Sequence, residues 1–152
     1  MDRVEKAKDY FRQGYACSQA VAMPYADLFG MKESDVAKMM LPFGGGFGRQ
    51  RLICGAVSGM SAVIGMALAE EGGGAENKKH VYSVTVELCN KFKAENGSLI
   101  CAELLEKARL SVQTGGSPEE RTPEYYKKRP CVEIVGSAVR ILEDYLKTAG
   151  KI

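Results

Sequence analysis

Eighteen consecutive residues near the middle of the chain, Leu52 to Ala69 (LICGAVSGMSAVIGMALA), carry no charge. A helix that is apolar all round has to be hidden, either in a bilayer or among other helices. The stretch reaches only the lower edge of membrane-spanning length. Its Gly55-x-x-x-Gly59 spacing is that of close-packing membrane helices. Yet it is rich in Gly, Ala and Ser, and no aromatic belt flanks it. It therefore reads as the buried central helix of a bundle, whose small residues admit neighbouring helices closely. No membrane insertion is expected.

The segments around it are amphipathic. Val4, Ala7 and Phe11 recur at helical spacing, and Gly14 is a natural stop. A second helix begins near Cys17, with Ala20, Val21 and Leu28 on one face, is kinked or broken at Pro24, and ends at Gly30. Ser34 is placed to cap a short helix over Asp35–Met40, which Pro42 stops. Residues 76–95 form a long helix with Val81, Val84, Leu88 and Phe92 inward, ended by Asn96-Gly97. Ser98 caps the next helix, and Pro130 opens the last, whose apolar side carries Ile134, Val135, Ala138, Leu142 and Tyr145. Residues 111–129 are the least regular, with helix-start signatures at Ser117-Pro118-Glu119 and Thr122-Pro123-Glu124. Strand alternation and internal repeats are absent. The expectation is an all-α, single-domain helical bundle over residues 1–152, with about five to seven helices around the buried central one. A 45% hydrophobic, 26% charged chain of net charge +2 offers no footprint for nucleic acid.

The five cysteines divide by position. Cys17, Cys54, Cys101 and Cys131 each fall within the first turn of an expected helix. Free N–H groups and the positive end of the helix dipole favour thiolate there, and the thiolate is both nucleophile and metal ligand. Cys89 lies mid-helix on the apolar side and reads as a small core residue. The sequence has no CxxC, so any site must be assembled by packing separate helix starts. The opening residues MDRVEKAKDYF have no apolar leader, so a cytoplasmic location and reduced thiols are expected.

Just before Cys54 runs Gly44-Gly45-Gly46-Phe47-Gly48-Arg49-Gln50-Arg51. It matches neither the Walker A pattern nor GxGxxG after a strand. It reads as a tight turn delivering Cys54 to a site, with Arg49 and Arg51 close enough to lower that thiol's pKa. His80, the only histidine, reads as exposed or capping, and Tyr125-Tyr126-Lys127-Lys128-Arg129 as a surface loop.

In order, Cys17 in GYACSQAV, the glycine loop, Cys54-Gly55-Ala56-Val57-Ser58-Gly59, Cys101, and Cys131 in RPCVEIV resemble a family named as redox-active for its C…CGAxxG…C…C signature. The resemblance covers nearly the whole chain. It implies a small helical protein, often encoded beside transporters, with Cys17, Cys54, Cys101 and Cys131 as its signature positions. A related domain in split-Soret cytochromes carries a [2Fe–2S] cluster, which makes iron–sulfur ligation one expectation for the four cysteines. The other is thiol/disulfide cycling, with Cys54 as nucleophile. Gly44, Gly45, Gly46, Gly48, Arg49, Gly55 and Gly59 are the expected cofactor-side residues. A redox partner protein is expected, and a homodimer is compatible with the sequence. The alternative is a non-catalytic, zinc-binding helical module held by the same four thiols.

Overall fold

The computed structural model describes residues 2–152. Among them the chain forms eight α-helices: α1 (Arg3–Arg12), α2 (Cys17–Ala22), α3 (Glu33–Met40), α4 (Gly55–Leu68), α5 (Gly74–Asn96), α6 (Cys101–Lys107), α7 (Pro123–Lys128) and α8 (Cys131–Thr148). The count exceeds the expected range of five to seven because the irregular segment contains a short helix, α7, at its Thr122-Pro123-Glu124 start. The one β feature among the described residues is an isolated antiparallel bridge between Ile53 and Ile100. No described helix is long and apolar enough to cross a membrane.

The uncharged segment is the centre of the bundle. Along α4, Ala56, Val57, Met60, Val63 and Ile64 are buried, and the helix packs against α2, α5 and α8. Its glycines permit the closest of these contacts. A Cβ on Gly59 would sit 2.7 Å from the Ser18 carbonyl oxygen and 3.0 Å from Val21 Cβ. A Cβ on Gly55 would meet Ser18 N at 3.1 Å and Cys17 Cβ at 3.3 Å. The small-xxx-small spacing thus serves α2, not lipid. The outer wall is α1 against α8, where Ala7 and Phe11 face Val135, Val139 and Leu142 in the common core.

Several expected boundaries move by a residue or two. The helix expected from Asp35 begins at Glu33, with Lys32 rather than Ser34 at its start and no side-chain cap. Pro24 ends α2 by converting the chain to a 3₁₀ helix, Met23–Phe29, which Gly30 closes in the left-handed region at φ 66°. Ser98 does not occupy the cap of α6, which is Ile100. Its Oγ instead accepts from Ile100 N at 2.9 Å and donates to Glu103 at 3.0 Å. Thr122 caps α7 as expected, accepting from Tyr125 N at 3.2 Å. The Ser117-Pro118-Glu119 start yields no helix.

Candidate functional site

The four signature-position cysteines stand at four helix starts. Cys17, Cys101 and Cys131 are the first residues of α2, α6 and α8, and Cys54 is the cap residue of α4. Local chemistry fixes each. The turn before Cys17 is closed by Gln19, whose side chain accepts from Ala16 N at 2.9 Å. Pro130 supplies the fixed φ from which α8 starts. Cys54 and Cys101 are tied backbone to backbone across the Ile53–Ile100 bridge. Cys54 N donates to the Leu99 carbonyl at 2.8 Å, and Cys101 N to the Leu52 carbonyl at 2.6 Å.

All four line one cavity of about 420 Å³. Four arginines, Arg49, Arg51, Arg121 and Arg129, share its wall with a single carboxylate, Glu119. Phe11, Leu41, Leu104, Leu105, Tyr125 and Ile134 provide the apolar part. Cys89 stands apart on α5, packed against the core but only half-buried, at its edge rather than within it as expected. His80 is exposed and outside the cavity wall.

Within the cavity the thiols are not equivalent. Cys17 and Cys131 are neighbours on the cavity wall, and the influence of each thiol on the other is the largest on both. It holds Cys131 below the ordinary thiol range as the acceptor, helped by Arg129, Arg121 and Arg51, while Cys17 is pushed well up as the proton's keeper. Burial pushes Cys54 up to about 12, against backbone N–H groups of Ala56 and Val57 that pull the other way. Burial also raises Cys101, although Arg51 beside it opposes the shift. The expectation of thiolate at every helix start is therefore corrected: desolvation outweighs the helix terminus at Cys54 and Cys101, and the neighbouring Cys131 followed by burial does so at Cys17. Cys131 is the exception because guanidinium groups and a thiol donor converge on it.

The glycine loop also differs from its expected role. Arg51 is not the activator of Cys54. Its Nη1 lies 3.7 Å from Cys101 Sγ, and its Nε donates to the Gln113 carbonyl at 2.9 Å. Arg49 donates to the Gly115 carbonyl and accepts from Gly115 N, so the loop grips the irregular segment after α6. Nor is the loop an open anion cradle. The N–H groups of residues 48–52 are spent on carbonyls of Pro42, Gly44, Gly45, Gly46 and Phe47. Gly44, Gly45, Gly48 and Gly55 reach the cavity wall, whereas Gly46 and Gly59 serve close packing. At Gly46 the backbone is left-handed, at φ 72°, and an added Cβ would lie 2.6 Å from Leu52 N.

The sequence reading missed Arg121, Arg129 and Tyr125. Arg121 lies over the rings of Phe11 and Tyr125 at 4.3 and 4.9 Å and donates to the carbonyls of Phe11 and Tyr15. Arg129 pairs with Glu119 at 3.1 Å and covers Tyr125 at 5.1 Å, with its side chain only 7% exposed. The available signal was position: Arg129 and Tyr125 stand two and six residues before Cys131.

Four thiols on one cavity are the donor set of a [2Fe–2S] or zinc site. Their arrangement is not a ligand shell: among the described residues no three His, Cys, Asp or Glu side chains are grouped so as to hold a metal ion. Residues 15–145 match the family model described as "Putative redox-active protein (C_GCAxxG_C_C)". No curated protein and no solved structure matches the chain.

Proposed function

For a chain that belongs to this redox-active protein family, we propose a dithiol–disulfide function in which Cys17 and Cys131 are the exchanging pair. The supporting observation is that the two thiols stand side by side on the wall of one cavity, close enough to set each other's acidity. Cys131, poised as thiolate among arginines, is the attacking sulfur. Cys17, still protonated, resolves the mixed disulfide. Conversion of the dithiol to the disulfide gives up two electrons and two protons to an acceptor. A thiol reductant or a redox partner protein restores the dithiol. Cys54 and Cys101, raised by burial and pinned by the bridge, form the floor of the site.

The test is a thiol count. One equivalent of diamide lowers the free-thiol count of the reduced protein by two, and peptide mapping recovers a Cys17–Cys131 link. Loss of the effect in Cys131→Ser, with Cys54→Ser still responding, completes the assignment. A disulfide mapped to Cys54 and Cys101, or no loss of thiols, overturns it. The four-thiol donor set favours one second reading, a metal or [2Fe–2S] site formed by drawing the sulfurs together. Iron, sulfide and zinc analysis after anaerobic purification decides between them: stoichiometric metal supports the second, and metal-free protein with the diamide response supports the first.

A further inference from the structure

The charge on the cavity wall does not balance. Four arginines face one carboxylate, and Glu119 is already paired with Arg129. Among the described residues, no carboxylate lies within ion-pairing distance of Arg49, Arg51 or Arg121. Arg51 is the sharpest case. It is only 8% exposed, and its hydrogen-bond partners are a carbonyl and a sulfur. Counting the Cys131 thiolate as a second negative charge still leaves two of the four guanidinium groups unmatched, and burying unmatched charge is unfavourable. The chain also accepts strain to place it, since Arg49 and Arg51 hold φ of 68° and 62°, the left-handed region that non-glycine residues avoid. Arg121 is fixed as well, by its aromatic bed and two carbonyls. The same wall also carries Leu104, Leu105 and Ile134.

From this asymmetry we propose that the cavity binds a small anionic disulfide, its carboxylates on Arg51 and Arg121 and its carbon chain against Leu104, Leu105 and Ile134. The proposal rests on the dithiol reading above and names its acceptor. The Cys131 thiolate attacks one sulfur of R–S–S–R. A Cys131–S–S–R bond forms, the S–S bond of the substrate breaks, and the first RS⁻ leaves. Cys17 then loses its proton to that RS⁻ and attacks Cys131 Sγ, closing the Cys17–Cys131 disulfide and expelling the second RS⁻, which takes a proton from water. Two sulfurs of the protein are oxidised and two of the substrate are reduced.

Three disulfides of similar size test this: dianionic 3,3′-dithiodipropionate, neutral bis(2-hydroxyethyl) disulfide and dicationic cystamine. Each is mixed with the reduced protein, and each rate is divided by that compound's rate with dithiothreitol to remove intrinsic reactivity. The expected order is anion, neutral, cation, with at least ~10-fold between the first two at low salt. The advantage shrinks in high salt and in Arg121→Gln. Equal normalised rates, or cystamine fastest, overturn the proposal and leave the guanidinium groups as counter-ions of the thiolates alone. A second measurement is independent of exchange. In Cys17→Ser/Cys131→Ser, 3,3′-dithiodipropionate binds by calorimetry in a salt-dependent way, and absence of binding overturns the proposal. If none of the three oxidises the wild-type pair while the double variant still binds the dianion, the dithiol reading fails and the anion site stands.

Discussion

At the scale of single residues, two sulfurs in contact are driven apart in acidity by what surrounds them. Cys131 sits where three guanidinium groups converge, whereas Cys17 keeps the proton that the pair shares. Alkylation with a small neutral reagent makes this visible. Because the Cys131 pKa is lowered, its thiolate persists as pH falls below the ordinary thiol range near 8.5, and its rate drops only once pH passes through the lowered value. Cys54, pushed up to about 12, stays protonated across the same range. Mass spectrometry of protein alkylated at about pH 7 is expected to find label on Cys131 first and none on Cys54; label on Cys54 first contradicts the assignment. The placement of the four cysteines at helix starts was legible in the sequence, because Gly14, the glycine loop, Asn96-Gly97 and Pro130 interrupt the apolar periodicity just before them, although no side chain caps any of the four helices. Their ranking was not, because Arg121 and Arg129 arrive from a segment whose aromatic and basic residues look like any exposed turn until Phe11 is packed beneath them.

At the scale of elements, the decisive contact is α2 on α4. Gly55 and Gly59 remove the side chains that would hold the two helices apart, and this brings Cys17 alongside Cys54. Gly59→Ala places a methyl group 2.7 Å from the Ser18 carbonyl, a backbone atom that cannot swing away. The expected loss is about 1–3 kcal/mol of stability, measured by urea denaturation. Gly65→Ala on the same helix is the control, since nothing lies within 4 Å of a Cβ there. Equal effects at the two positions would contradict the close-approach argument. That the apolar segment is a helix, and that its glycines matter, could be read from spacing alone. Which helix they admit could not, because α2 is six residues long and carries too little periodicity to announce a partner. The glycine loop shows the same limit. Its turn was evident, but the left-handed path that turns its N–H groups onto its own carbonyls is not written in residue type alone, and the contact that carries Arg51 to Cys101 is tertiary.

At the scale of the whole molecule, the all-α bundle was legible because burial is written in helical period along α1, α5 and α8. The cavity was not, since its walls come from residues spread between Phe11 and Ile134. That spread has a consequence of its own. Cys17 and Cys131 lie far apart along the chain, so a covalent link between them would ring about three quarters of the polypeptide. Closing a loop of about a hundred residues removes close to 4.7 kcal/mol of chain entropy from the unfolded ensemble. The diamide-oxidised protein is therefore expected to unfold at markedly higher urea than the reduced one, and a matching midpoint would count against the link. By the same cycle, folding draws the disulfide's potential down by on the order of 100 mV relative to an unstructured pair. The bundle would then be a reductant made strong by its own topology, and a mutation would weaken its reducing power only to the extent that it destabilises the linked form more than the dithiol.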